Sequence, residues 1–132
     1  MRILVVEDDV TSRKILQKFL SEFGETDTGV NGEEAISAFK TAHAEGKPYE
    51  LICLDIMMPI MDGQEALQQI REFEKENGIA ANGEVKIIMT TALNDPKNIF
   101  EAFYTGGAIS YLVKPIDKQK LLSELKQLGC VV

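Results

Sequence analysis

Short apolar runs alternate with helix-period stretches along the whole chain, and this alternation constrains the fold more than any other feature. The runs are Ile3-Leu4-Val5-Val6, Leu51-Ile52-Cys53-Leu54, Val85-Lys86-Ile87-Ile88-Met89 and Ser110-Tyr111-Leu112-Val113. Three of them are nearly continuous hydrophobics, the pattern of strands covered on both faces. Glu25-Thr26-Asp27-Thr28 is polar enough to be a fifth strand at an edge. Between the runs, Ile15, Leu16, Phe19, Leu20 and Phe23 mark one helix face, with Gly24 expected to close that helix. Ala35, Ile36 and Phe39 mark a second helix, with Asn31 as its expected cap. Ala66, Leu67, Ile70 and Phe73 mark a third, stopping at Asn77-Gly78. Ile99, Phe100 and Phe103 mark a fourth between Asp95-Pro96 and Gly106-Gly107, and Leu121, Leu122, Leu125 and Leu128 mark the last. Five βα pairs in order imply a parallel sheet with helices on both faces. One domain is expected to fill residues 1–132, with a flexible loop at 78–83 before the fourth strand.

Charge narrows the partners. Lys and Arg number 14 against 21 Asp and Glu, a formal net charge of −7. A field of that sign repels nucleic acid and anionic lipid, which argues against direct DNA or RNA binding and favours cations and basic surfaces on proteins. Cys53 and Cys130 cannot build a disulfide scaffold, and with a single His there is no His/Cys metal site. No segment approaches the roughly 18 apolar residues of a membrane helix, so the cytoplasm is the expected compartment.

Open parallel sheets bind ligands beyond the carboxyl ends of their strands. There the sequence places Glu7, Asp8 and Asp9 after the first strand, Asp55 after the third, Thr90 and Thr91 after the fourth, and Lys114-Pro115 after the fifth. Two carboxylates about 5 Å apart repel by roughly 3 kcal/mol at an effective dielectric of about 20. One Lys cannot offset three such charges, so either a carboxyl keeps its proton or a cation sits among them. An all-oxygen cage suits Mg²⁺ better than Zn²⁺, and Mg²⁺ would bring Glu7, Asp8, Asp55 and Lys114 to neutrality. A neutral cluster with open metal positions is ready to accept a phosphoryl group.

The strings ILVVEDD (3–9), LICLDIMMPIMDG (51–63), IIMTTA (87–92) and YLVKP (111–115) resemble the receiver domain of two-component response regulators, the CheY-like family. The resemblance covers nearly the whole chain, in the family's order and spacing. It implies a flavodoxin-like (βα)5 three-layer sandwich with strand order 2-1-3-4-5. It implies Asp55 as phosphoacceptor, with Glu7, Asp8 and the Met57 carbonyl as further Mg²⁺ ligands, Asp8 directly and Glu7 through water. Thr91, followed by Ala92, matches the switch hydroxyl, Lys114 the phosphoryl-contacting lysine before a cis proline, and Tyr111 the aromatic switch residue. The implied function is a phosphorelay switch. A sensor histidine kinase or phosphotransfer protein would charge Asp55, and the surface of the fourth helix, fifth strand and fifth helix would signal to an effector protein.

Plainer roles are expected elsewhere. Asp9 reads as a helix cap, Thr90 as strand-end packing, His43 as a surface residue and Lys86 as part of a solvated face. Tyr111 is balanced between packing and switching, and Met57-Met58-Pro59-Ile60-Met61 leans towards partner contact. Met57 and Leu93, two positions after Asp55 and Thr91, are apolar and cannot orient water, so slow loss of the phosphoryl group is expected. The same apolar Met57 argues against the main alternative, a Mg²⁺-dependent phosphohydrolase with Asp55 as nucleophile, which wants a proton donor there. A nucleotide- or flavin-binding domain would need a Gly-rich loop where Glu7-Asp8-Asp9 stands. The last helix ends near Leu128–Cys130, which suits a free-standing regulator or the receiver piece of a longer one.

Overall fold

The computed structural model describes residues 1–91 and 110–131. Five parallel strands, β1 (Arg2–Val6), β2 (Glu25–Gly29), β3 (Leu51–Asp55), β4 (Lys86–Thr91) and β5 (Ser110–Val113), form one sheet in the order β2-β1-β3-β4-β5. The described helices are α1 (Val10–Leu20), α2 (Gly32–Ala44), α3 (Gly63–Glu76) and α4 (Lys118–Gln127), the last being the expected C-terminal helix. The helix expected around Ile99–Phe103 lies outside the described residues, as do Ala92 and Leu93.

Strand alternation builds the three layers. Leu4, Val6, Ile52, Leu54, Ile87 and Met89 point to one face, where Ala35 and Phe39 of α2 and Ala66, Leu67 and Ile70 of α3 cover them. Ile3, Val5, Leu51, Cys53 and Ile88 point to the other, against Leu16 and Leu20 of α1 and Leu121 and Leu125 of α4. Each fully buried Leu or Ile contributes about 1.5–3 kcal/mol, so this two-sided burial is what keeps β1 and β3 central. The polar β2 takes one edge. At the other edge β5 alternates between buried Ser110 and Leu112 and exposed Tyr111 and Val113.

Several local expectations are corrected. Gly24 does not end α1, which stops at Leu20. A Cβ on Gly24 would fall 1.9 Å from the Met1 carbonyl oxygen, so the glycine serves a close crossing of chains. Residues 81–83 form a 3₁₀ turn within the expected loop. Thr90 and Thr91 lie inside β4 rather than beyond it, paired in register with Asp55 and Val113 respectively. Lys86 is not a solvated charge: its ammonium donates to the Leu128 carbonyl and closes the C-terminal end of α4. The expected caps stand, Asp9 and Asn31 each accepting a backbone N–H in the first turn of the helix that follows, and Asp62, which the sequence reading did not single out, caps α3 in the same way.

Candidate functional site

The carboxyl ends of β1 and β3 deliver the acids. Glu7 follows β1, and its N–H donates to Gly29 O at 3.0 Å, which carries the strand pairing one residue further. Asp55 is the last residue of β3. By alternation both side chains fall on the α1/α4 face of the sheet, and both are buried, Glu7 completely and Asp55 to 3% exposure. Asp8 is exposed at the mouth, and carboxylate oxygens of Glu7, Asp8 and Asp55 lie within 4.8 Å of one another.

Lys114 arrives from the opposite side. Its N–H donates to Thr91 O at 2.6 Å, and the Lys114–Pro115 bond is cis. Its ammonium forms an ion pair with Glu7 Oε1 and lies 3.2 Å from Asp55 Oδ2. Because β4 stands between β3 and β5, the Lys114 stem crosses β4 to make these contacts.

The crowding has the electrostatic consequence expected of it. Burial pushes the Asp55 carboxyl up, a hydrogen bond and like charge from Glu7 push it further, and Lys114 only partly offsets them, leaving it at about 7. Burial also acts against the Glu7 carboxylate, but hydrogen bonds from Asp55, Lys114 and the Asp9 N–H outweigh it and hold Glu7 below its ordinary value. The Lys114 ammonium, penalised by burial, is nevertheless raised by the two acids it faces. The Glu7–Asp55 pair therefore takes up one proton near neutrality.

The same arrangement fits the donor set of a hard cation. Its donors are all oxygens, and Mg²⁺ at about 2.1 Å from each ligand tolerates donors up to roughly 4 Å apart, so little closure is needed. A divalent charge held there would supply the neutralisation that the shared proton only partly provides.

The segment after Asp55 is built to return to it. Ile56 N–H donates to Thr90 O at 2.9 Å, Met57 N–H approaches Asp55 Oδ1 at 3.4 Å, and Gly63 N–H donates to Ile56 O at 2.8 Å. A Cβ on Gly63 would lie 2.1 Å from the Asp55 carbonyl oxygen. The loop presents Met57 and Ile60 to solvent, and Ile60 adopts φ +70°, a left-handed conformation costly for a β-branched residue.

Glu7, Asp8, Asp55 and Lys114 are thus brought together as the sequence suggested. Thr91 is buried at the end of β4, and Tyr111 is partly exposed on β5, level with Met89. Alternation places Thr91 and Tyr111 on the same face of the sheet, opposite to Asp55. Sequence reasoning missed Arg13, whose Nη1 donates to the Glu7 carbonyl at 2.9 Å. It also missed the steric role of Gly63, although Asp62-Gly63 stood within the motif that carried the resemblance.

The sequence model of the response regulator receiver domain matches residues 3–126. The chain belongs to the response regulator receiver domain family. This receiver is 34% identical over 96% of its length to the probable transcriptional regulator ycf27 of Cyanophora paradoxa, and spans only 47% of that relative. Among solved structures, the receiver domain of Ssk1 from Saccharomyces cerevisiae, in co-crystals with the histidine phosphotransfer protein Ypd1, matches with a TM-score of 0.84 and 33% identity. That match covers 98% of this chain and 89% of the other. CheY in the CheX–CheY–BeF₃–Mg²⁺ complex from Borrelia burgdorferi matches with a TM-score of 0.82 and 30% identity, over 98% and 89% of the two chains. The family is a phosphoacceptor signalling module of two-component systems rather than a turnover enzyme. No described helix is long and apolar enough to cross a membrane.

Proposed function

We propose that residues 1–132 act as one receiver in which Asp55 accepts a phosphoryl group from a phosphohistidine. The observation that carries this reading is a buried carboxylate flanked by two further acids and reached by Lys114 at 3.2 Å. Asp55 oxygen bonds to phosphorus as the phosphorus–nitrogen bond breaks, and the histidine leaves. Lys114 neutralises charge on the phosphoryl oxygens, and the cost of ionising Asp55 is met at the moment of transfer. Asp8, Asp55 and the Met57 carbonyl would hold Mg²⁺, with Glu7 reaching it through water; the ion supplies charge neutralisation at the transferring group.

The new phosphoryl oxygens offer the Thr91 hydroxyl a new acceptor. Drawing Thr91 inward opens space on the face that it shares with Tyr111, and the Tyr111 ring fills it. This remodels the surface around β5 and α4, and an effector protein reads the change. The donor is a sensor histidine kinase or a phosphotransfer protein, as the Ypd1 complex of the Ssk1 receiver illustrates. The compartment is the cytoplasm. The exposed apolar side chain of Met57 provides no proton donor for repeated hydrolysis, which disfavours a phosphohydrolase.

Incubation with acetyl phosphate and Mg²⁺, followed by intact-mass measurement, tests this. One added phosphoryl group that disappears in Asp55→Asn is expected; consumption of many donor equivalents by the unmodified protein would instead mark an enzyme.

A further inference from the structure

Thr90 carries a feature that strand packing does not explain. It is fully buried, yet its hydroxyl has no hydrogen-bond partner. Burying a hydroxyl unpaired is unfavourable, and Val fills the same space without that cost. The position is specific. Thr90 pairs in register with Asp55 on one side and Leu112 on the other, so the three side chains lie in a row on the α1/α4 face. Lys114, two residues beyond Leu112, falls on that same face. Its stem runs from β5 to Asp55 and Glu7 across β4, and Thr90 is the β4 residue at the level of Asp55.

The Lys114 ammonium carries three N–H donors, and its ion-pair partners here are Glu7 and Asp55. Phosphorylation changes both partners: the Asp55 oxygen becomes part of an acyl phosphate, and the negative charge moves outward onto the phosphoryl oxygens. The ammonium must then turn from the buried Glu7 towards the new group. Along that path the Thr90 hydroxyl is a buried oxygen free to accept.

We propose that Thr90 is a positioning residue whose hydroxyl accepts a hydrogen bond from Lys114 once Asp55 carries its phosphoryl group, holding the ammonium on the phosphoryl oxygens. The inference rests on Asp55 being the phosphoacceptor. It gives Thr90 a part distinct from that of Thr91, which lies on the opposite face.

Two substitutions separate the hydroxyl from the methyl group. Thr90→Val keeps the shape and loses the hydroxyl; Thr90→Ser keeps the hydroxyl and loses a methyl. The readout is the affinity for beryllium fluoride, a phosphoryl mimic, in saturating Mg²⁺, followed by ¹⁹F NMR. Urea unfolding of the metal-free proteins accompanies it. Thr90→Val is expected to be at least as stable as the parent yet to bind the mimic about three- to tenfold more weakly, while Thr90→Ser binds within about twofold of the parent. Any other ordering overturns the proposal, above all a Val variant that binds as well as the parent or a Ser variant that is the weaker of the two. If the parent protein itself does not bind the mimic, the phosphoacceptor reading fails, and this inference fails with it.

Discussion

Lys114 Nζ lies 3.2 Å from Asp55 Oδ2 although β4 separates the strands that carry them. The ammonium is the only described cation that forms an ion pair with Asp55 or with Glu7. Lys114→Met leaves two buried carboxylates with no counter-charge. At pH 8 without metal, urea unfolding should show a loss of about 3 kcal/mol, the lower end of what breaking a buried pair costs. Phosphorylation by acetyl phosphate should fall at least about a hundredfold, as for removal of one charge-stabilising donor.

Asp55 contributes a pH dependence of opposite sign to that of an ordinary salt-bridged acid. Its folded value of about 7 lies above the ordinary 3.8, so the folded protein holds a proton that the unfolded chain has lost. The stability linked to that proton is full below about pH 4 and disappears as pH rises through 7. Metal-free Asp55→Asn should therefore gain on the parent between pH 5 and pH 8, by about 2 kcal/mol, somewhat below the roughly 3 kcal/mol that one proton allows over the two pH units up to 7, because Glu7 shares the proton. Urea midpoints at the two pH values measure this. Protons and Mg²⁺ compete for the same oxygens, so calorimetric Mg²⁺ affinity should fall roughly tenfold from pH 8 to pH 6. A flat profile would contradict both statements.

The Gly63 contact gives a steric prediction. With its Cβ 2.1 Å from the Asp55 carbonyl oxygen, Gly63→Ala must displace either β3 or the start of α3. A loss of about 1–3 kcal/mol in urea unfolding is expected, together with slower phosphorylation because Asp55 itself moves.

Met57 offers the converse case, a change in kinetics without a change in stability. Its side chain is 68% exposed two residues after Asp55 and cannot orient water. Met57→Asn should leave unfolding within about 0.5 kcal/mol of the parent while shortening the life of the phosphorylated form several-fold. An unchanged decay of the phosphorylated mass would show that this side chain does not control access of water.

Ile60 holds φ +70° with its side chain 75% exposed. Ile60→Gly removes the Cβ conflict and should stabilise the protein by about 1 kcal/mol, read as a higher urea midpoint.

Much of this was legible in the chain itself. The continuous apolar runs of β1 and β3 announced strands covered on both sides, and acids or a lysine following the strands marked the rim at which they meet. What could not be read depends on contacts between distant segments. Gly24 looks like a helix stop until Met1 is seen against it, and Lys86 looks solvated until Leu128 is found at its ammonium. Arg13 follows no periodicity, because its partner is the carbonyl of Glu7. Thr90 and Thr91 read as residues at or just after the end of the fourth strand until their register with β3 and β5 shows them to be strand residues on opposite faces. That distinction decides which hydroxyl sits beside the lysine.

The most direct measurement locates the phosphoryl group. Borohydride reduces an acyl phosphate to an alcohol, so protein treated with acetyl phosphate and Mg²⁺, reduced and digested should carry homoserine at position 55. Peptide mass mapping that finds reduction there and nowhere else is the predicted result. Reduction at Glu7 or Asp8, or no reduction in protein that has gained a phosphoryl mass, would contradict the account.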